Sequence, residues 1–211
     1  LRFNLSSQTK MNENSSLMKF CMKKNEVEKW LNEFHTPSHI REHSEKVAQM
    51  GEDLAKKLQK AGEKVDPEKV WIAGMIHDMV RVVDFKKDPE TLGTPEDRKI
   101  WKAIRKQYKG WHHADAAADI LRKRGEDELA DIVARHKYTC ILSDTPPRTW
   151  EEKILYYADK RVAHNQIVTL QERFEEGHKR HFPGESVSHE EEQRREAILA
   201  LEKEIFQKIK K

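Results

Sequence analysis

Residues Trp71–Asp84 read WIAGMIHDMVRVVD, the most apolar run in an otherwise strongly polar chain. Asp66-Pro67-Glu68 stands just before it, and proline at a first helical position followed by an acid is a helix-start signal. The run is therefore expected to be a buried helix from Pro67 to about Val83. His77 and Asp78 stand in its middle. A carboxylate is almost never buried without a partner, because losing its water is costly. Inside the run only Arg81, one turn on, carries the opposite charge. A metal ion would satisfy both residues at once. His77-Asp78 thus reads as half of a metal site whose other ligands lie elsewhere in the chain.

The bulk composition narrows the class. The chain has 211 residues, 36% hydrophobic and 36% charged, with a net charge of +3. That length suits one domain. High but balanced charge fits ion-pair-laced helical faces better than the basic stripe of a nucleic-acid binder. Cys21 and Cys140 form no CxxC pair, which argues against a disulfide scaffold and excludes a zinc ribbon. No apolar run approaches the ~20 residues of a membrane span, and the N-terminus lacks a signal-peptide pattern. A soluble cytoplasmic protein is expected. Residues 1–24 read as a poorly ordered leader, with a short helical turn allowed over Leu17–Cys21, and residues 25–211 as a single helical domain.

Working outward, apolar residues recur at helical spacing throughout. Asn25–Phe34 forms a first helix. The next runs from the Thr36-Pro37-Ser38 start to about Ala61 and stops at Gly62. Its stripe is Ile40, Val47, Met50, Leu54 and Leu58, and His43 falls inside it. Asp84–Asp97 is a loop by its Pro, Gly and charge content, and Pro95–Tyr108 is a helix. His113 opens a helix one turn before Ala117. Glu126–Tyr138 is another, leading to His136, and Cys140–Pro147 is a loop. Arg148 begins a long helix, reaching about Phe182, with Asp159 on the stripe of Leu155 and Val162. Glu190–Lys211 is the last. The fold is all-α.

His43, His77 with Asp78, His113, His136 and Asp159 thus lie at or beside the inward stripes of separate helices. Polar residues converging on one core are costly unless they meet around something. An imidazole and carboxylate set without Cys suits iron, manganese or zinc and points away from a structural zinc site. Adjacent helical residues diverge by ~100°, so His77 and Asp78 cannot aim symmetrically at one point, and Asp78 is placed to bridge two ions. His35, His164, His178, His181 and His189 read as solvated positions. His112 is the alternative to His113. His39, one turn before His43, is either a helix-start residue or a substrate contact. A ferritin-like di-iron bundle would need two Glu-x-x-His motifs, and only Glu175–His178 has that spacing.

The order His, His-Asp, His, His, Asp resembles the HD-domain superfamily of metal-dependent phosphohydrolases. The local strings IREHSEKVA (40–48), AGMIHDM (73–79), HADAAADIL (113–121), IVARHKY (132–138) and YYADKRV (156–162) carry the resemblance, which covers about His39 to Val162. It implies a compact helical bundle with the metal site in its core. It implies that His43, His77, Asp78 and Asp159 hold one ion, with His113 and His136 adding a second bridged by Asp78. Iron or manganese is expected first; zinc, magnesium, nickel or cobalt are compatible. Arg81 matches a basic residue common three positions after the signature Asp, and stands with Asp78 as catalytic and as a phosphate contact. His39 and Lys160 are further substrate contacts, whereas Arg161 is assigned a surface ion pair. The substrate expected is small and phosphorylated, a nucleotide in the first instance, hydrolysed at an ester or anhydride bond by metal-activated water. The alternative is a metal- and nucleotide-binding sensor without turnover. No membrane or dedicated nucleic-acid surface is expected, and a homodimer stays open. Two features depart from relatives: Ile40 stands where an Arg often precedes the first His, and the Gly-Tyr-Pro signature of the cyclic-di-guanylate branch is absent.

Overall fold

Helix α2 (Ser38–Lys60) crosses α3 (Pro67–Ile76) at the centre of the molecule. The crossing depends on a small residue on each side. A Cβ placed on Gly74 would lie 2.6 Å from the Cα of Ala48, so the two backbones approach as closely as they do only because Gly74 has none. The computed structural model describes residues 22–85 and 92–210; the expected leader over 1–21, including the turn at Leu17–Cys21, lies outside them. Met22 is buried, and α1 (Lys24–Glu33) follows directly.

The start of α3 is as expected: Asp66 accepts from the backbone N–H of Glu68 and Lys69, and Pro67 follows. Its end is not. The helix stops at Ile76 instead of running to Val83; His77–Val80 form turns and Arg81–Asp84 a 3-10 helix. The cause is local. The Nδ1 of His77 donates to the carbonyl of Gly74 at 2.7 Å, which in a continued helix would accept from the N–H of Asp78. The backbone then tightens to three-residue bonds, with Met79 N to Ile76 O, Arg81 N to Asp78 O and Val83 N to Val80 O.

Helix α4 (Pro95–Gln107) packs on the 3-10 turn, and α5 (His113–Lys123) and α6 (Asp127–Ala134) form a pair beside it. Here too a helix is shorter than expected. α6 ends at Ala134, not Tyr138, and a 3-10 helix over Tyr138–Leu142 takes the start of the expected loop. The Nδ1 of His136 donates to Val133 O at 2.6 Å, repeating the device at His77.

The expected long helix from Arg148 to Phe182 is two helices. α7 (Trp150–Arg161) gives way to an antiparallel hairpin of Val162–Ala163 and Gln166–Ile167, turned by His164 at φ 56°, before α8 (Leu170–His181). Thr169, with Glu172 three residues on, caps the start of α8 reciprocally. α9 (His189–Ile209) closes the bundle. One apolar cluster joins α1, α3, α5 and α6 to one side of α2; a second joins α2 to α7, α8 and α9. The architecture is all-α apart from the two-residue strands. Among the described residues, no helix is long and apolar enough to cross a membrane.

Candidate metal centre

Four histidines of the set are tethered in the same way. The Nδ1 of His43 donates to His164 O (2.9 Å), that of His77 to Gly74 O (2.7 Å) and that of His136 to Val133 O (2.6 Å). The Nδ1 of His113 faces Oδ2 of Asp84 at 2.7 Å. A ring nitrogen that donates to oxygen fixes the tautomer and leaves Nε2 as the ligating atom. All four Nε2 atoms point to one buried region between α2, α3, α5, α6 and α7.

The carboxylates divide that region. Nε2 of His43 and of His77 lie 3.1 and 3.6 Å from Oδ1 of Asp159. Oδ2 of Asp78 is 3.7 Å from Nε2 of His77, while its Oδ1 lies 2.9 Å from Nε2 of His113 and 3.5 Å from that of His136. One group is therefore His43, His77 and Asp159. The other is His113 and His136. Asp78 turns one oxygen to each. The expected ligand set is brought together whole, and His77, His113 and His136 are at most 3% exposed.

Their chemistry fits a cation. His77 Nε2 and Asp78 Oδ1 are buried with no hydrogen-bond partner of good geometry, a costly arrangement when nothing binds them. Nε2 of His113 and of His136 stand 3.0 Å apart. With Nδ1 of each facing an oxygen, two lone pairs would face one another unless a proton or cation lies between them. Groups drawn from these residues, His43 with His77 and Asp159, and His77 with Asp78 and His136, have donor atoms close enough to share an ion.

The electrostatics agree. Burial works against the charge of Asp78, yet His77, His113 and Arg81 hold its carboxyl well below the usual range. Burial likewise opposes the charge of Asp159, and Lys160, His43 and His77 keep it ionised. Burial pushes His136 down to about 3, with His77 and His113 adding to the effect against the pull of Asp78, so its ring is neutral at ordinary pH. For His77 and His113, burial is outweighed by the carboxylates around them, Asp78 with Asp159 and Asp78 with Asp84, and both are raised. Any proton that these rings carry has to leave before a cation can take its place.

The remaining expected site residues lie around this core. Arg81, with a side chain 40% exposed, is 3.9 Å from Asp78 Oδ1 and 4.0 Å from Asp84 Oδ1, and its Nη1 rests against the His113 ring. Lys160 is buried and donates to Asp159 Oδ2 (2.5 Å) and to the carbonyl of His136 (2.8 Å). His39 is exposed and stacks on Phe85. His112 caps α5 by accepting from Ala114 N. Arg161 pairs with Glu202, as expected.

Sequence reasoning missed Asp84, which orients His113 and looked like the first residue of a loop. It missed the carbonyl of His164, whose left-handed turn no periodicity announces. His35 and His178, read as solvated, are each paired with a carboxylate, Asp97 and Glu191.

No curated protein and no solved structure gives a significant match to the chain. The family model for the HD domain matches residues 40–164, from the turn before His43 to the carbonyl that holds it. With more than half its length in that match and the ordered histidines and aspartates gathered in its core, the chain belongs to the HD-domain family.

Proposed function

We propose that the protein is a metal-dependent phosphohydrolase that cleaves a phosphoester or phosphoanhydride bond in a small phosphorylated substrate, a nucleotide. HD domains are mostly metal-dependent hydrolases. The observation that carries the reading is the pair of orphaned inward atoms, His77 Nε2 and Asp78 Oδ1, amid four tethered histidines.

His43, His77, Asp159 and Asp78 would hold one cation, and Asp78, His113 and His136 a second, with iron or manganese the best suited to this donor set. A divalent cation supplies Lewis acidity, acidifying water and offsetting charge on phosphoryl oxygens. The protein does the rest. Asp78 and Asp159 are held ionised, so their charge is available to a cation without loss of a carboxyl proton. Arg81 is the cationic side chain at the exposed edge, and its forked donors suit a non-bridging phosphoryl oxygen. Lys160 is better placed to position than to bind substrate, because its ammonium is turned inward onto Asp159 and the His136 carbonyl.

The test is metal analysis of the purified protein followed by a phosphatase and phosphodiesterase panel with added Mn or Fe. Phosphate or nucleoside release that disappears with a chelator and in Asp78→Ala supports the reading. Absence of turnover on the whole panel in metal-loaded protein rejects it.

A further inference from the structure

A cleft of about 560 Å³ opens between the α1–α2 turn and the start of α4. That size is within the range of about 300–1,000 Å³ typical of small-molecule sites. Its walls include His35, His39, Leu92, Asp97 and Trp101. Three links run from its lining toward the metal centre. His39 lies one helical turn, about 6 Å of rise, before His43. It also stacks on Phe85, the residue after Asp84. Behind the wall, Thr36 Oγ1 donates to Met79 O, next to Asp78.

His35 is held on every side. Its backbone is left-handed at φ 49°, a region that costs an ordinary L-residue about 1–2 kcal/mol. It occupies the position after a helix end where glycine is usual, with His35 N bonded to Asn32 O and Thr36 N to Leu31 O. Its carbonyl accepts from Trp101 Nε1 (2.8 Å), and its Nδ1 faces Asp97 Oδ1 at 2.6 Å. Asp97 is itself fixed by Thr94 N and Oγ1. A glycine would serve the helix end better. What histidine adds is a ring with a fixed tautomer and a second nitrogen, on the wall of a cleft.

We propose that this cleft takes the nucleoside part of the phosphorylated substrate, with the ring of His35 reading the edge of the base and the ring of His39 offering it a stacking face. The proposal rests on the phosphohydrolase reading for where the phosphoryl end lies. The lining favours a base over a second phosphate. Arg41 is the cationic side chain among the described lining residues, and its donors go to Glu28, Asn32, Thr36 O and Leu31 O. Asp97 adds negative charge that would repel an anion. Leu92, 44% exposed, and the exposed ring of His39 supply apolar and planar surface, with Trp101 buried behind them, which suits a heterocycle with hydrogen-bonding edges.

The test is titration of the full-length, metal-loaded protein with adenosine, guanosine, cytidine and uridine, read by histidine side-chain NMR with Zn as a diamagnetic metal. At least one nucleoside should shift the His35 and His39 signals saturably, and ribose should not. His35→Gly should weaken that nucleoside about tenfold or more, with its melting temperature close to the parent's, because glycine relieves the left-handed backbone. His35→Asn, which also tolerates that backbone, should show the same loss if the glycine variant folds poorly. The proposal is overturned if no nucleoside shifts either signal at millimolar concentration, or if both variants bind as the parent does. Phosphate release from nucleotides and from ribose 5-phosphate is scored separately. Turnover without nucleoside binding would sink the cleft and leave the reaction; nucleoside binding without turnover of any ester would do the reverse.

Discussion

Asp78 turns Oδ1 to Nε2 of His113, 2.9 Å away, and Oδ2 to Nε2 of His77, 3.7 Å away. One carboxylate thus serves both histidine groups. If it bridges two cations, the parent should purify or reconstitute with about two equivalents of metal, spaced as in two-metal hydrolytic sites at about 3.5–4 Å. Asp78→Ala should lose both, and His113→Ala or His136→Ala only one. Elemental analysis decides. Parent-like metal content in Asp78→Ala would refute the assignment.

Asp84 Oδ2 faces Nδ1 of His113 at 2.7 Å, where it can orient that ring. Replacing such an orienting carboxylate typically costs about 10–100-fold in metal affinity or activity. Asp84→Asn should therefore weaken one class of metal site by that order and spare the other. Metal titration by calorimetry separates the two classes, and equal losses at both would mean that Asp84 does not act through His113.

Arg81 stands at the exposed edge, near both Asp78 and Asp84. If it clamps phosphate, Arg81→Ala should keep its metal and its fold while kcat/KM falls about 10²-fold, or ~2.7 kcal/mol of transition-state stabilisation. If its main work is the ion pairs, melting temperature or metal affinity should fall first. Unchanged turnover in a folded, metal-loaded variant would rule out the phosphate role.

His178 links α8 to α9. Its Nε2 faces Glu185 O at 2.9 Å and its Nδ1 faces Glu191 Oε2 at 3.0 Å, so both ring nitrogens point at acceptors. The Glu185 carbonyl, and then Glu191, raise it above its ordinary value. A raised value means stability that is fully present below the unfolded value of about 6.5 and lost as pH rises through the folded one. In thermal melts the parent should exceed His178→Gln most at mildly acidic pH, and the gap should close in alkali. A gap independent of pH would show that the ring is not charged there.

How much of this was legible in sequence follows from what each signal measures. Helical stripes report which side chains face inward, so His43 between Ile40 and Val47, and Asp159 between Leu155 and Val162, could be read correctly. They do not report where a backbone stops being helical if the next turns are also buried. Met79, Val80 and Val82 are in the core despite lying beyond α3, so the apolar run continues past the helix end. The terminator there is the side chain of His77 bonding back to Gly74, not a Gly or Pro. The hairpin after α7 has two-residue strands, too short for any alternation to show. Its one readable trace is Thr169 with Glu172, a helix start inside what looked like one helix. Lys160 reads in the sequence as a substrate contact, yet its ammonium turns inward onto Asp159 and the His136 carbonyl; a lysine's long stem lets it face either way.

His43 Nε2 and Asp159 Oδ1 meet at 3.1 Å, although 116 positions separate them in the chain. A cation held by both would close that whole length into a ring. For a covalent cross-link, a loop of about 100 residues is worth ~4.7 kcal/mol in the chain-entropy treatment, and a metal clip draws on the same source wherever the unfolded chain does not hold the ion. The ion would then be a staple as well as a reagent. Short of metal, the protein would be lost twice: first by an empty site, and then through proteolysis of chains that open more often.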